Sequence, residues 1–172
     1  IRRLLKPSTQ FMSVVKADGY GHGAVAVART ALSAGASWLA VATLEEGIQL
    51  RQAGIEAPIL LFGPTICKEE IEAVAEYRLQ PTVCSLDQAR RFSEAGLGPI
   101  QIHLKVDTGM SRLGVAWQEA QDLLNALRLL PNVTVSSFYS HLVMADAADP
   151  VTTAQQFERF AKLVEALETQ GA

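Results

Sequence analysis

Phe11-Met-Ser-Val-Val-Lys-Ala-Asp-Gly-Tyr-Gly-His-Gly23, running directly into Ala24-Val-Ala-Val-Ala-Arg-Thr-Ala-Leu-Ser33, sets the fold class of this chain. Residues 11–15 form a short apolar run rich in β-branched side chains, which predicts a strand buried in a sheet. Glycines at 19, 21 and 23 predict a turn. Apolar residues at 24, 27, 28 and 31 then follow helical spacing. The stretch is a strand–turn–helix unit.

The same unit recurs outward along the chain. Strands are predicted over 38–42, 58–62, 80–84, 100–106 and 133–141. Thr43-Leu-Glu-Glu46 and Ser85-Leu-Asp-Gln88 have the form of capping boxes, opening helices that end at Gly54 and near Gly96. A helix over 68–76 places Ile71, Val74 and Ala75 on one face, and one over 119–130 carries an apolar stripe at 120, 123, 124, 127 and 130. A closing helix over 155–169 is expected to bury Phe157, Phe160, Ala161, Val164 and Leu167 and to stop at Gly171-Ala172. Six strands, each followed by a helix, imply an α/β protein with parallel pairing through right-handed crossovers. Two architectures fit: an open doubly wound sheet, or a (β/α)8 TIM-like barrel truncated to about six β/α units. Gly19-Tyr-Gly-His-Gly23 lacks the GxGxxG spacing of a dinucleotide-binding turn. A complete barrel, at a typical ~250 residues, needs two more strands.

Composition narrows the function classes. The 172 residues are 49% hydrophobic and 19% charged, with a net charge of −3, which speaks against disorder. No basic tract is present, so nucleic acid is not an expected partner. No apolar run approaches the ~18 residues of a membrane span, so no membrane is expected either. Cys67 and Cys84 have neither disulfide-framework nor zinc spacing, and no metal is expected. Ile1-Arg-Arg-Leu-Leu5 reads as the tail of a helix, and both ends look cut from something longer. Cytoplasm is the default expectation for location.

Polar residues at strand ends are where ligands of parallel sheets bind. Lys16 ends the first strand. It is either a lysine that snorkels to solvent or an amine suited to forming a Schiff base. Tyr20 sits in the glycine turn, where it either packs the turn or bonds an anion such as phosphate. His103, Lys105 and Asp107 share one face of the fifth strand by alternation, an unusual set for a barrel interior. Arg112 lies between Gly109 and Gly114, where a guanidinium suits a carboxylate or phenolate or is simply solvated. Ser140-His141 ends the sixth strand.

Val14-Val-Lys-Ala-Asp-Gly-Tyr-Gly-His-Gly23 resembles the pyridoxal-phosphate lysine segment of alanine racemases, whose usual form is V-V-K-A-N-A-Y-G-H-G. His103-Leu-Lys-Val-Asp-Thr-Gly-Met-Ser-Arg-Leu-Gly114 is similar to the second signature of that family, and Tyr139-Ser-His-Leu-Val-Met-Ala-Asp146 to the third, usually T-H-F-A-x-A-D. Asp18-Gly19 for Asn-Ala and Leu142-Val143 for Phe-Ala are departures. The resemblance covers essentially the whole chain. It implies that residues 1–172 are part of an N-terminal (β/α)8 barrel, with a mostly β C-terminal domain outside this chain, in an enzyme that works as a homodimer. It implies pyridoxal 5'-phosphate as cofactor and interconversion of L- and D-alanine by two-base proton transfer at Cα, supplying D-alanine for peptidoglycan. Lys16 would hold the cofactor as an internal aldimine and act as one base. Tyr20 would bond the cofactor phosphate, and Arg112 would meet the cofactor's phenolic oxygen and the substrate carboxylate. His141 would lie against the pyridine ring. Lys105 would match a lysine that many members carbamylate. The opposite-face base, a tyrosine, would come from the partner's C-terminal domain, so this chain alone is expected to be inactive. The alternative is a non-enzymatic pyridoxal-phosphate-binding barrel protein.

Overall fold

Strands rich in Val, Ile, Leu and Ala, flanked by capped helices, organise the computed structural model, which describes residues 2–169. The chain divides into two compact units, Ile1–Thr82 and Val83–Ala172.

The first unit contains strands β1 (Met12–Val14), β2 (Trp38–Val41), β3 (Ile59–Leu61) and β4 (Gln80–Val83), the last of which runs to its boundary. β1 pairs with β2, β2 with β3 and β3 with β4, all in parallel, as the crossover argument requires. Leu39, Ala40 and Val41, and likewise Ile59, Leu60 and Leu61, are buried in succession. Consecutive burial means that both faces of these strands are covered, which is why they read as continuous apolar runs.

Between the strands lie α1 (Lys16–Gly21), α2 (Ala24–Ser33), α3 (Leu44–Gln52) and α4 (Lys68–Glu76). The capping box at Thr43 is present: Thr43 Oγ1 accepts from Glu46 N and Glu46 Oε2 from Thr43 N. α4 has a comparable start that the sequence reading missed, because its cap position is a cysteine. Glu70 Oε2 accepts from the N–H groups of both Ile66 and Cys67. The start of the chain forms a short 3₁₀ turn, Arg2–Leu4; Ile1 lies outside the described residues.

Arg51 braces the opposite end of this unit. Its Nε donates to Tyr77 O at 2.8 Å, one terminal nitrogen to Ile55 O and Ala57 O at 2.7 and 2.8 Å, and the other to Arg78 O at 3.0 Å. One guanidinium thus satisfies carbonyls from the loops that follow α3 and α4. Burial, with help from the nearby Arg78 charge, lowers its pKa.

The second unit holds α5 (Leu86–Glu94), β5 (Ile100–Asp107), β6 (Val115–Ala116), α6 (Ala120–Leu127), β7 (Val133–Tyr139) and α7 (Val151–Thr169). Ser85 caps α5 by accepting from Gln88 N, and Gln88 Oε1 accepts from Cys84 N. β5 pairs in parallel with both β6 and β7. Six strands were expected and seven are present among the described residues: the two residues of β6 are too short to leave a periodic signal. The β5–β7 register shifts after Ile102, where Val135 faces Ile102 and Ser137 faces His103. Ser136 is the extra residue of a bulge.

The phase expected for the closing helix is corrected. Gln156, Leu163 and Leu167 are buried on α7, while Phe157 is 66% exposed. Ala161 is also exposed, and Phe160 and Val164 are half-buried. Phe160 sets its ring 5.5 Å from that of Phe138. The buried stripe runs 156–160–163–167, and a glutamine on it satisfies buried groups, as described below. The expected stop at Gly171-Ala172 lies outside the described residues. No helix among the described residues is long and apolar enough to cross a membrane.

Replacing Arg51 by Lys keeps the charge but removes the planar fork that reaches four carbonyls. A loss of roughly 1–3 kcal/mol is expected, the range for buried acceptors left without donors. A thermal melt of full-length Arg51→Lys protein checks this, and an unchanged melting temperature would reduce the brace to a surface contact.

Candidate active site

Val15, fully buried, donates from its backbone to Ala40 O and so carries β1 one residue further alongside β2. Lys16 follows, half-buried at the carboxyl end of the strand. There the backbone changes hand. Ala17, Asp18, Gly19 and Tyr20 have φ of 52°, 52°, 62° and 55° with ψ between 38° and 50°, a full turn of left-handed helix. For residues with a Cβ this conformation costs roughly 1–2 kcal/mol each. Gly19 escapes that cost. It is also needed for space, since a Cβ there would stand 2.9 Å from Val27 Cγ2.

Specific bonds hold the turn. Gly19 N donates to Val15 O at 2.9 Å and Gly23 N to Asp18 O at 2.8 Å. Asp18 Oδ1 accepts from Ala24 N at 2.8 Å, at the start of α2. Glu46 Oε1 accepts from Ala17 N at 2.6 Å, while Glu46 Oε2 accepts from Ala42 N at 2.7 Å. His22 Nδ1 lies 3.2 and 3.0 Å from the carbonyls of Gly19 and Tyr20. Tyr20 itself is 60% exposed, so its phenol is available to a ligand and does not pack the turn.

In the second unit, β5 carries three ionisable side chains toward its carboxyl end. His103 is 3% exposed, shares a 2.7 Å hydrogen bond with Ser137 Oγ, and is pushed down to a pKa of about 4 by burial. Lys105 is 5% exposed. Its Nζ donates to Val106 O at 3.0 Å and stands 5.4 Å from the ring centroid of Tyr139, its register partner on β7. Burial lowers the Lys105 pKa, the Asp107 and Cys84 charges oppose that, and the Arg112 charge adds to it. Asp107 accepts from Gly109 N at 2.8 Å and Ser111 N at 3.1 Å. Burial works against its charge, but these bonds, one from Met110 N and the Lys105 charge hold its pKa below the usual value. Asp107 thereby shapes the loop that presents Arg112, which is exposed.

His141, also exposed, follows β7 by two residues. Its backbone is held by a residue that sequence reasoning missed. Gln156 Nε2 donates to His141 O at 2.9 Å and to Thr108 Oγ1 at 3.2 Å, and its Oε1 accepts from Val143 N at 2.9 Å. Arg159 donates to Thr108 O at 2.8 Å, and Thr108 Oγ1 lies 2.7 Å from Ser140 Oγ. A polar side chain on the 156–160–163–167 stripe was the available signal. Thus Lys16 and Tyr20 share one turn of the first unit, while Lys105, Arg112 and His141 belong to the linked β5 and β7 ends of the second.

His103 makes stability depend on pH. Its folded pKa of about 4 lies below the unfolded 6.5, so the folded state binds fewer protons between those values. The stability it contributes is complete above pH 6.5 and is lost as pH falls toward 4. The loss is roughly 3 kcal/mol at most. Chemical denaturation of full-length protein between pH 7 and 4 should show this slope, and His103→Gln should flatten it.

The alanine racemase N-terminal domain family model matches residues 1–172. An alanine racemase of Synechocystis sp. is 54% identical over 169 residues, covering 96% of this chain and 45% of its own length. One from Nostoc sp. is 49% identical, covering 99% of this chain and 46% of its own. Among solved structures, Bacillus anthracis alanine racemase with bound L-Ala-P has a TM-score of 0.89 at 32% identity, covering 99% of this chain and 45% of that one. A Clostridium difficile alanine racemase in complex with cycloserine has a TM-score of 0.92 at 32% identity, covering 99% and 48%. The chain spans about half the length of the curated relatives it matches. These similarities favour the barrel over the open sheet, and a racemase over a non-enzymatic carrier.

Proposed function

This chain belongs to the alanine racemase N-terminal domain family, and from that premise we propose that it is the cofactor-binding barrel part of a pyridoxal-phosphate-dependent alanine racemase. The observation that carries the reading is Lys16, set at the carboxyl end of a buried parallel strand and followed at once by four left-handed residues. Strain of that kind persists where a functional group must be held in a fixed direction.

The donor set fits the cofactor. A half-buried primary amine suits its aldehyde, and the exposed phenol of Tyr20, four residues on, suits its phosphate. Arg112 suits its phenolic oxygen and the substrate carboxylate. When bound, pyridoxal phosphate spreads the negative charge that develops at Cα as the proton leaves. Lys16 would hold the cofactor through Nζ until the substrate's amine takes its place, and the freed Nζ would then remove or return the Cα proton on one face. Arg112 would orient alanine by its carboxylate, and His141 would support the cofactor ring. The proton on the other face is handled by a tyrosine from the C-terminal domain of a partner copy. The working protein is therefore a homodimer, and that domain lies in the half of the relatives' length that this chain does not span.

Lys105 supports a further part of this reading. Its lowered pKa leaves more neutral amine, which can add to carbon dioxide, forming a carbamate and releasing one proton. The product is an anion, and the cationic Arg112, whose charge already acts on Lys105, is the neighbour it would pair with.

Two measurements on full-length protein test the assignment. Borohydride reduction of the cofactor-loaded protein, followed by peptide mapping, should place the label on Lys16, and a label on another lysine refutes the role. Arg112→Lys should lower kcat/KM by about ten- to a hundredfold, since the bidentate fork is lost from a charge-assisted contact worth roughly 1.5–3 kcal/mol. Kinetics equal to wild type would leave Arg112 as a loop residue only.

A further inference from the structure

We propose that Glu46 is a positioning residue for Lys16, acting as a clamp between the left-handed turn and the loop before α3. The proposal rests on the reading of Lys16 as the cofactor lysine. The capping box accounts for only part of what this carboxylate does. Oε2 completes the cap by accepting from Thr43 N at 3.2 Å, and also takes Ala42 N at 2.7 Å. Oε1 reaches 29 residues back along the chain to Ala17 N, and at 2.6 Å that bond is the shortest of the set.

Ala17 is the residue directly after Lys16 and the first of the four with positive φ. Its N–H belongs to the peptide group that leaves the Lys16 Cα. Fixing that peptide fixes the ψ of Lys16 and so the direction in which its side chain departs. The far end of the turn is fixed independently by Asp18, through Gly23 N and Ala24 N. The Gly19 N bond to Val15 O lies within the segment itself, whereas Glu46 ties its near end from outside. Glu46 also ties that end to Ala42, one residue beyond β2, the strand beside β1. The lysine is therefore referenced to the neighbouring strand and not only to its own.

Glu46→Gln isolates this role. A glutamine has one acceptor oxygen, which can keep Ala42 N and Thr43 N as Oε2 does. Its amide nitrogen then faces Ala17 N–H, donor against donor. Thr43→Ala is the contrasting variant, since it weakens the helix cap and leaves the carboxylate in place. Both are made in the full-length protein.

In the cofactor-free state, amides 17–21 of Glu46→Gln should exchange hydrogen about tenfold faster than wild type, while those of α3 keep their protection. After loading with pyridoxal phosphate, the visible absorbance of the lysine-bound cofactor should be lost about tenfold faster on dilution. The kcat for alanine should fall about tenfold, with KM within roughly twofold. Thr43→Ala should lower the melting temperature and leave all three readouts as in wild type. Wild-type exchange at 17–21 in Glu46→Gln overturns the clamp. Faster exchange with wild-type cofactor release and kcat overturns the positioning role. If Glu46→Gln fails to fold, Glu46→Asp takes its place, because its carboxylate is one methylene too short to serve both partners, and the same readouts decide. A borohydride label away from Lys16 in wild type would instead refute the cofactor-lysine reading, and the exchange measurement would still report on the clamp.

Discussion

Four consecutive residues in the left-handed α region, Ala17–Tyr20, cannot hold themselves. Three of them carry a Cβ, and that handedness is disfavoured by sterics at each. The turn exists because its surroundings over-determine it: the Val15 carbonyl at its base, Asp18 at the start of α2 and Glu46 from α3. In return, the end of β1, the start of α2 and the loop after β2 share one set of bonds. The strand end is thus tied from three sides, although it lies in a glycine-rich segment. Glycine there supplies permission to turn, and the carboxylates supply rigidity.

The second unit reaches a comparable end by burial. β5 places His103 and Lys105 in the interior, where His103 meets a serine and Lys105 meets a carbonyl and an aromatic face. Such groups cost stability relative to apolar residues. That cost explains why the strand is flanked by a dense polar network of Thr108, Ser140, Gln156 and Arg159, which anchors the loops at its end.

Much of this was legible in the sequence, where the signals are local. The bounds of α2 and α4 follow apolar spacing, and the caps at Thr43 and Ser85 follow a four-residue pattern. Lys16, Lys105, Arg112 and His141 stand at strand ends because alternation and apolar runs locate those ends. What stayed hidden depends on contacts between distant residues. The left-handed turn after Lys16 is held partly by Glu46, in a helix of its own. The phase of α7 is decided by what Gln156 meets on Thr108 and His141. The four carbonyls gathered by Arg51 come from two separate loops, and no periodicity predicts such a convergence.

The bulge at Ser136 divides β7 into two halves under different rules. Before it, residues 133–135 pair with 100–102, an offset of 33; after it, 137–139 pair with 103–105, an offset of 34. Because facing alternates along a strand, the extra residue resets parity for everything downstream. Removing Ser136 itself would bring Ser137 directly after Val135 and keep Ser137 opposite His103, Phe138 opposite Leu104 and Tyr139 opposite Lys105. A single deletion in β7 can therefore be absorbed by giving up the bulge, whereas a single insertion acts as a reading-frame change of the folded chain for the residues after it.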